Sequence, residues 1–213
     1  MKYSLLHPSF GRPDLAFNAY KEWTSKGGNY EYVLSLDSTD SQLEAYKQRF
    51  AKEPVTIVVS DNDNCVQATN AGAEHCKGEV IIYVSDDFGC PDNWHLLLDK
   101  VRPKTDKYII RVQDGIQPPT APVLTIPIMS RELYKALGYF WHPEYESMEV
   151  DVDLFFTVKT HFEIVDSPLL FPHRHHSIGA MDVDDTARRH DNMQRLQRGQ
   201  QIRRKREAQG YPV

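Results

Sequence analysis

Residues 78–94, GEVIIYVSDDFGCPDNW, indicate the fold of the chain and locate a candidate site within it. The mostly β-branched apolar run at positions 80–84 predicts a buried strand. Ser85, Asp86 and Asp87 follow at its carboxyl end, where open α/β sheets bind ligands. Adjacent carboxylates repel each other, and a hard divalent cation shared with a phosphate relieves that repulsion. The alternative is an ordinary turn, because Asp and Gly are common turn residues.

Strand and helix patterns alternate through the first half of the chain. Strands are predicted at 3–6, 30–36, 55–59 and 80–84, and helices at 14–26, 41–50 and 66–76. This alternation predicts an α/β fold with a mostly parallel sheet, in which right-handed crossovers place all strand ends at one edge. The second half predicts a proline-rich loop or edge segment at 117–127, helices from 130 and from 150, and a strand at 162–165.

Composition limits the class of protein. The 213 residues fit one large domain, or a domain with an appendage, and 40% hydrophobic residues allow a sizeable core. No apolar run approaches the roughly 20 residues of a membrane span, and the N-terminus lacks a signal-peptide pattern, so we expect a cytoplasmic protein. Three cysteines without CxxC spacing indicate a reduced compartment and no zinc site. The net charge of −5 does not indicate a nucleic-acid binder.

Positive charge is concentrated near the C-terminus. Residues 188–206 are rich in Arg and Gln and poor in large apolar side chains. One interpretation is a solvated helix that packs on the domain, which the apolar end at 211–213 favours. The other is a basic surface for phosphates or for a polyanionic acceptor.

Five motifs in a fixed order resemble the family 2-type glycosyltransferases, which have the GT-A fold and use nucleotide sugars. They are LHPSFGRP at 6–13, LDSTD at 36–40, the Asn- and Gly-bearing segment 62–78, SDD at 85–87, and the pair GYFWHPEY at 138–145 with EVDVDL at 149–154. The resemblance covers residues 3–177 and implies a GT-A-like Rossmann-type αβα sandwich with a C-terminal helical extension.

The resemblance implies a nucleotide-sugar site. Its expected members are Pro8, Ser9, Arg12, Asp37, Asn64, Asn70, Asp86 and Trp141. In that family the loop after the first strand contacts the nucleotide, and the acidic turn after the second strand binds the base or the ribose. Alternatives remain for some positions: Asp40 as a helix N-cap, Asn70 in close helix packing, and Trp141 in the core.

The resemblance also implies a Mn²⁺ or Mg²⁺ ion on the diphosphate. The family holds this ion with a DxD-type motif, whose first acid is replaced here by Ser85. Asp87 matches the metal-ligating acid, and Asp86 is expected to contact the ribose or a metal-bound water. The further candidate ligands are His173, His175 and His176, since imidazole readily completes an oxygen-rich Mn²⁺ site. The sequence does not distinguish among the three histidines, and a solvated loop is the alternative.

Asp151 matches the general base of the inverting members of this family, with Glu149 as the next candidate. A base must lie within hydrogen-bond reach of the acceptor hydroxyl. The alternative is that Asp151 and Asp153 are first-turn acids that the helix dipole favours.

The sequence therefore predicts a metal-dependent, inverting glycosyltransferase that uses a nucleotide-diphosphate sugar, with a UDP-sugar as the first choice. The hydroxyl acceptor is a modified nucleic-acid base or a glycan, and a lipid-linked or protein acceptor stays open. The alternatives are a nucleotidyltransferase-like enzyme and a non-catalytic nucleic-acid-binding protein that uses the basic tail.

The expected division is a glycosyltransferase domain at 1–177 and a basic helical extension at 178–213. The nucleotide-sugar half of the domain is expected at about 1–90 and the acceptor half at about 91–177. A viral protein that acts in the host cytoplasm fits the small size. The oligomeric state is left open.

Overall fold

A twisted α/β sheet forms the centre of the structure, a computed structural model that describes residues 2–190 and 192–213. Its strands are β1 (Tyr3–Ser9), β2 (Tyr30–Asp37), β3 (Val55–Ser60), β4 (Val80–Tyr83), β5 (Tyr108–Gln113), β6 (Pro127–Ser130) and β7 (Glu163–Leu170). Across these described residues they form a seven-stranded sheet in the order β3-β2-β1-β4-β6-β5-β7. Strands β1 to β4 are parallel, β6 is antiparallel to both of its neighbours, and β7 is parallel to β5.

Helices cover both faces of this sheet. Their bounds are α1 (Pro13–Ser25), α2 (Leu43–Phe50), α3 (Cys65–Ala73), α4 (Trp94–Val101), α5 (Arg131–Leu137), α6 (Val150–His161), α7 (Asp185–His190) and α8 (Met193–Ala208). Because side chains alternate along a strand, neighbouring residues of β1 enter different cores. Leu5 packs with α1, α2 and α4 in one apolar cluster, and Leu6 packs with α3, α5 and α6 in the other. The mostly parallel αβα sandwich is thus confirmed.

The structure adds elements that the sequence patterns did not predict. Helix α4 and strand β5 occupy residues between 94 and 113, to which no element had been assigned. The proline-rich stretch 117–127 is largely irregular, as predicted, but Pro127 opens the short strand β6. Because β6 has only four residues, its pattern of apolar and polar side chains is too short to distinguish the strand from the preceding loop by sequence.

The pairing of β1 with β4 creates the position for a ligand site. Strands β2 and β3 lie on one side of β1, and β4 lies on the other, so the strand order reverses between β1 and β4. Val84 N–H donates to Leu6 O at 2.8 Å and extends this pairing to the sheet edge. A Cβ on Gly78 would lie 2.6 Å from backbone atoms of Tyr3 and Ser4, so only glycine lets β4 begin this close to β1.

Helix α8 packs on α6, which agrees with the packed-helix interpretation of the basic tail. Arg206 Nε donates to Asp153 Oδ1 at 2.8 Å, and these two side chains are only 4% and 1% exposed. The Tyr211 ring stacks on Phe156 with centroids 5.4 Å apart, so the apolar terminus does dock onto the domain. The division of the chain at residue 177 stays a prediction.

No helix in the described ranges combines the length and the apolar character that a membrane crossing requires.

Arg206→Met should destabilise the fold, because it leaves the Asp153 carboxylate buried without its cation. Breaking one side of a buried pair costs about 3–5 kcal/mol, and we expect a loss of this size in the free energy of unfolding measured with urea. The matched control is Arg204→Met on the exposed side of the same helix, which should change stability by less than about 0.5 kcal/mol. Equal stabilities of the two variants would contradict the role of the pair.

Candidate active site

A cavity of about 770 Å³ opens at the carboxyl edge of the sheet. It is bounded by the ends of β1 and β4, the loop at 116–125, the start of α6 and the C-terminal residues around 173–189. The structure brings most of the predicted site residues to its wall. They are Pro8, Ser9, Arg12, Asp37, Asn64, Asp86, Asp87, Trp141, Asp151, His173, His175 and His176.

Buried hydrogen bonds fix Asp86 at the junction of β1 and β4. Its Oδ1 accepts from Ser9 Oγ at 2.8 Å and lies 2.9 Å from His7 Nε2. The other ring nitrogen of His7 lies 2.6 Å from the Tyr32 hydroxyl, and the His7 side chain is fully buried. Arg12 Nη1 approaches Asp86 Oδ2 to 4.0 Å. Sequence reasoning missed His7, although a polar residue inside an otherwise apolar strand was the available signal.

Asp87 and His173 form the second polar pair of the cavity. Asp87 Oδ2 lies 3.2 Å from His173 Nε2, and the His173 ring packs edge-on against Phe88. Burial is the largest single influence and disfavours the charged form of Asp87. The hydrogen bond and charge of His173, together with hydrogen bonds from Ser85 and the backbone, outweigh it and hold the pKa of the carboxyl below its usual range. The other oxygen, Oδ1, is buried and has no hydrogen-bond partner in the described part of the chain.

His175 and His176 lie beyond this pair on the same wall. His175 Nδ1 accepts from Ser177 N–H at 3.2 Å and caps a single helical turn over His176–Ile178. The ring centroid of His175 lies 4.9 Å from that of His173 and 3.9 Å from that of His176. Within residues 2–190 and 192–213, no three His, Cys, Asp or Glu side chains are grouped as a ready-made metal site. The four predicted metal ligands therefore do not form one cluster. Of the four, Asp87 and His173 are in direct hydrogen-bond contact.

Polar residues at the end of β2 and after β3 also line the cavity. Asp37 Oδ1 accepts from the N–H and the hydroxyl of Thr39, both at 2.8 Å. Asn64 caps α3 through its Oδ1, which accepts from Gln67 N–H at 3.0 Å. Asn62, which the motif comparison did not select, also lies on this wall. Strand-end groups of this kind suit recognition of ribose or base.

Asn70 occupies a structural position and is not on the cavity wall. Its Oδ1 accepts from the N–H groups of Phe140 and Trp141, and its Nδ2 donates to Trp141 O at 2.8 Å. These three bonds join α3 to the loop that carries Trp141. Asn70 therefore has the helix-packing role that the sequence left open as an alternative. Its expected contact with the nucleotide sugar is replaced by these backbone hydrogen bonds.

Asp151 lies in the first turn of α6 and faces the cavity. Its Oδ1 accepts from Val152 N–H at 2.9 Å. Burial raises the pKa of the Asp151 carboxyl, and the negative charges of Glu149 and Asp114 raise it further. Asp153, two residues later, instead pairs with Arg206, so the two aspartates of this motif have different environments.

Residues 179–189, which we call the strap, lie over the β1 end of the cavity. Arg12 forms a two-pronged ion pair with Asp184, with Nε 2.6 Å from Oδ2. This guanidinium holds the pKa of Asp184 below its usual range. The Thr186 hydroxyl donates to Phe10 O at 2.9 Å, and the Arg189 guanidinium lies 4.0 Å from the Phe10 ring centroid. Sequence analysis did not predict this contact between the two ends of the chain.

The loop after β5 supplies a wall that the motifs did not identify. Asp114 Oδ1 accepts from Ile116 N–H at 2.8 Å and from Gln117 N–H at 2.7 Å. These bonds fix the two residues that begin the apolar side of the cavity. An Asp-Gly pair directly after an apolar run was the signal for this position, and it resembles the signal that identified Asp86 and Asp87.

Residues 19–118 match the family model described as Glycosyl transferase family 2. The matched range, which we call the family 2 region, is similar to that family and covers just under half of the chain. The predicted family resemblance is thus confirmed. The family 2 region contains β2, β3, β4 and the residues Asp37, Asp86 and Asp87, while Asp151 and the histidines follow it in the chain.

Solved structures similar to this chain confirm the GT-A fold. The S. aureus protein TarS, residues 1–349, is 13% identical with a TM-score of 0.62, over 81% of this chain and 60% of that chain. The same TarS fragment in complex with UDP-GlcNAc aligns with a TM-score of 0.60 at 12% identity, over 88% of this chain and 63% of that chain. The mannosyltransferase PcManGT from Pyrobaculum calidifontis, in complex with GDP-Man and Mn²⁺, is 12% identical with a TM-score of 0.64. This alignment covers 81% of this chain and 56% of that chain.

The chain spans about three fifths of the length of these solved structures. No curated protein sequence matches it.

Asp151→Asn should stabilise the protein at neutral pH. Because the folded state raises the pKa of this carboxyl, it binds the proton more tightly than the unfolded state does, and stability falls as pH rises through that range. The amide carries no charge, so the variant should melt at a higher temperature than the wild type at pH 7. The difference should shrink as pH approaches the ordinary carboxyl pKa of about 4. Asp153→Asn is the control of opposite sign, since it weakens the pair with Arg206. A lower melting temperature for Asp151→Asn at pH 7 would contradict this account.

Proposed function

We propose that the protein transfers a sugar from a nucleotide-diphosphate sugar to a hydroxyl acceptor, with inversion at the anomeric carbon. The observation that supports this most directly is the common cavity. It joins the acidic strand end at Asp86 and Asp87 to the high-pKa carboxyl of Asp151, at the carboxyl edge of a GT-A sheet. An acid pair and a separate base are the two parts that such a transfer requires.

The donor is proposed to lie across the switch point between β1 and β4. Asp37, Asn62 and Asn64 at one end offer acceptors and donors for the base and ribose. Asp86, held by Ser9 and His7, also lines the cavity. The structures with similar folds contain UDP-GlcNAc in one case and GDP-Man in another, so both are tested as donors, with UDP-sugars first.

Asp87 and His173 fit a divalent cation. The buried Asp87 Oδ1 has no partner among the described residues, and a carboxylate beside an imidazole is a donor set that Mn²⁺ accepts. When bound, such an ion offsets the negative charge of the diphosphate. His175 and His176 lie next to this pair, where phosphate oxygens and water would complete the coordination.

Asp151 is proposed to act as the general base. Its raised pKa makes it a better proton acceptor than an ordinary exposed aspartate. The carboxylate takes the proton from the acceptor hydroxyl while that oxygen forms a bond to the anomeric carbon. The bond from this carbon to the diphosphate oxygen breaks, and its electron pair leaves with the diphosphate. Attack from the opposite face inverts the configuration.

The charges on α8 favour a glycan hydroxyl over a nucleic-acid acceptor. Most of its cations are already paired with carboxylates of the domain: Arg195 and Arg198 with Glu146, Arg203 with Glu149, Lys205 with Glu144, and Arg206 with Asp153. Paired cations add little attraction for a polyanion. The apolar residues on the 116–125 wall instead suit the faces of sugar rings.

Asp151→Asn should lower the rate of nucleoside diphosphate release from the donor by roughly 10²–10⁴, because the amide cannot take the proton. The assay uses UDP-GlcNAc and GDP-mannose with and without Mn²⁺, with water and simple glycosides as acceptors. Affinity for UDP should not change. Asp92→Asn, which alters an exposed carboxylate, is the matched control. A near wild-type rate for Asp151→Asn would reject it as the base and make Glu149 the next candidate.

Asp87→Ala should remove the Mn²⁺-dependent part of UDP binding. Titration calorimetry with and without Mn²⁺ should show at least about a tenfold gain in wild-type affinity from the metal, and no gain in the variant. Asp92→Ala serves as control, and a melting curve confirms that the variant is folded. A variant whose UDP affinity still responds to Mn²⁺ would exclude Asp87 as the ligand.

A further inference from the structure

Helix α8 lies directly against the segment that carries Asp151. The contact is closest at Gly199, where an added Cβ would run into Met148 O and would lie 3.1 Å from Glu149 Cβ. Gly199 is buried, and its φ lies outside the left-handed region, so what requires glycine here is the close approach and not the backbone conformation. The helix therefore touches residues that are themselves part of the cavity wall.

An ion pair fixes the same segment one turn further along α8. Arg203 Nε lies 2.6 Å from Glu149 Oε2, and both side chains are largely buried. Glu149 precedes α6 with φ at 72°, in the left-handed region that a residue with a Cβ rarely adopts. Such a conformation persists only where surrounding contacts impose it. Gly199 and Arg203 supply two of those contacts.

Two further contacts also attach α8 to the domain. The buried pair of Arg206 with Asp153 and the stacking of Tyr211 on Phe156 already hold the helix against the body of α6. Gly199 and Arg203 act on the residues just before α6 instead. A shift of about 1 Å in this loop would move Asp151 relative to a bound acceptor, and misplacements of that size reduce turnover strongly.

We propose that Gly199 and Arg203 are positioning residues, through which α8 holds residues 148–151 in the arrangement that sugar transfer requires. The inference rests on the proposed function and assigns the basic C-terminal helix a role in it. Neither residue lines the cavity. Both act through Glu149 and the backbone at 148–149.

Arg203 also controls the charge beside Asp151. Glu149 and, from the end of β5, Asp114 are the anionic groups that raise the pKa of Asp151, and the Tyr83 hydroxyl on β4 faces it as a neutral group. Arg203 compensates Glu149 directly. Without that compensation, the field of Glu149 at Asp151 becomes stronger, and the pKa of Asp151 should rise further.

The experiment compares Arg203→Met, Arg203→Lys and Gly199→Ala with Lys205→Met as matched control. Lys205→Met removes a cation from α8 whose partner, Glu144, lies outside the positioned loop. Measured quantities are kcat and KM for release of UDP from UDP-GlcNAc (or GDP from GDP-mannose), the Kd for UDP, and the pKa of Asp151 from carboxyl carbon chemical shifts. We expect a roughly tenfold loss of kcat in Arg203→Met with the Kd for UDP within twofold, and substantial rescue by Arg203→Lys.

The pH dependence separates positioning from general stability. The acid limb of kcat and the pKa of Asp151 should move to higher pH in Arg203→Met, whereas Gly199→Ala should lower kcat without removing the charge that shields Glu149. A wild-type kcat and a wild-type Asp151 pKa in folded Arg203→Met would overturn the inference, as would equal losses in Lys205→Met. If the wild type releases no nucleoside diphosphate from any donor, the proposed function fails, and the Asp151 pKa in Arg203→Met alone decides whether α8 is coupled to this carboxyl.

Discussion

The parallel pairing of β1 with β4 is the constraint on which the rest of the site depends. It requires Gly78, because any side chain there would collide with the β1 backbone. It ends where Val84 N–H reaches Leu6 O. Beyond that point β1 continues beside β2 to Ser9, while the chain after β4 leaves the sheet. Asp86 then meets Ser9 and His7 without a further loop rearrangement. The position of the acidic pair is thus set by backbone geometry, and only its orientation depends on side chains.

Carboxylates that are close in sequence have opposite electrostatic environments in this protein. Asp151 is buried near other negative charges, which costs stability, and the cost is tolerated at a cavity where a proton acceptor is useful. Asp153, two residues further along α6, is buried beside the Arg206 guanidinium. This ion pair attaches α8 to the domain. Asp87 lies between these cases, because His173 supports one oxygen while the other has no partner among the described residues. Environment, and not residue type, separates these roles.

The sequence predicted the half of the fold that has strong local patterns. Apolar runs predicted β1 to β4, and the motifs selected Asp86, Asp87 and Asp151, which the structure places around one cavity. What the sequence could not provide were contacts between distant segments. Arg206 and Asp153 are 53 residues apart in the sequence, and Arg12 and Asp184 are 172 residues apart. No local sequence pattern predicts either ion pair. Asn70 illustrates the reverse error, because a motif match does not reveal that an amide is already bound to the backbone.

The ion pair between Arg12 and Asp184 has a consequence for the order of events at the cavity. Asp184 occupies the Nε and Nη2 edge of the Arg12 guanidinium, so under the proposed function a donor phosphate that used this edge would have to displace the carboxylate. Part of the free energy of such phosphate binding would then be used to release the strap, and the observed affinity would be lower than the intrinsic one. After the diphosphate had left, Asp184 could return to the same edge of Arg12, so the carboxylate would compete with the product for this cation.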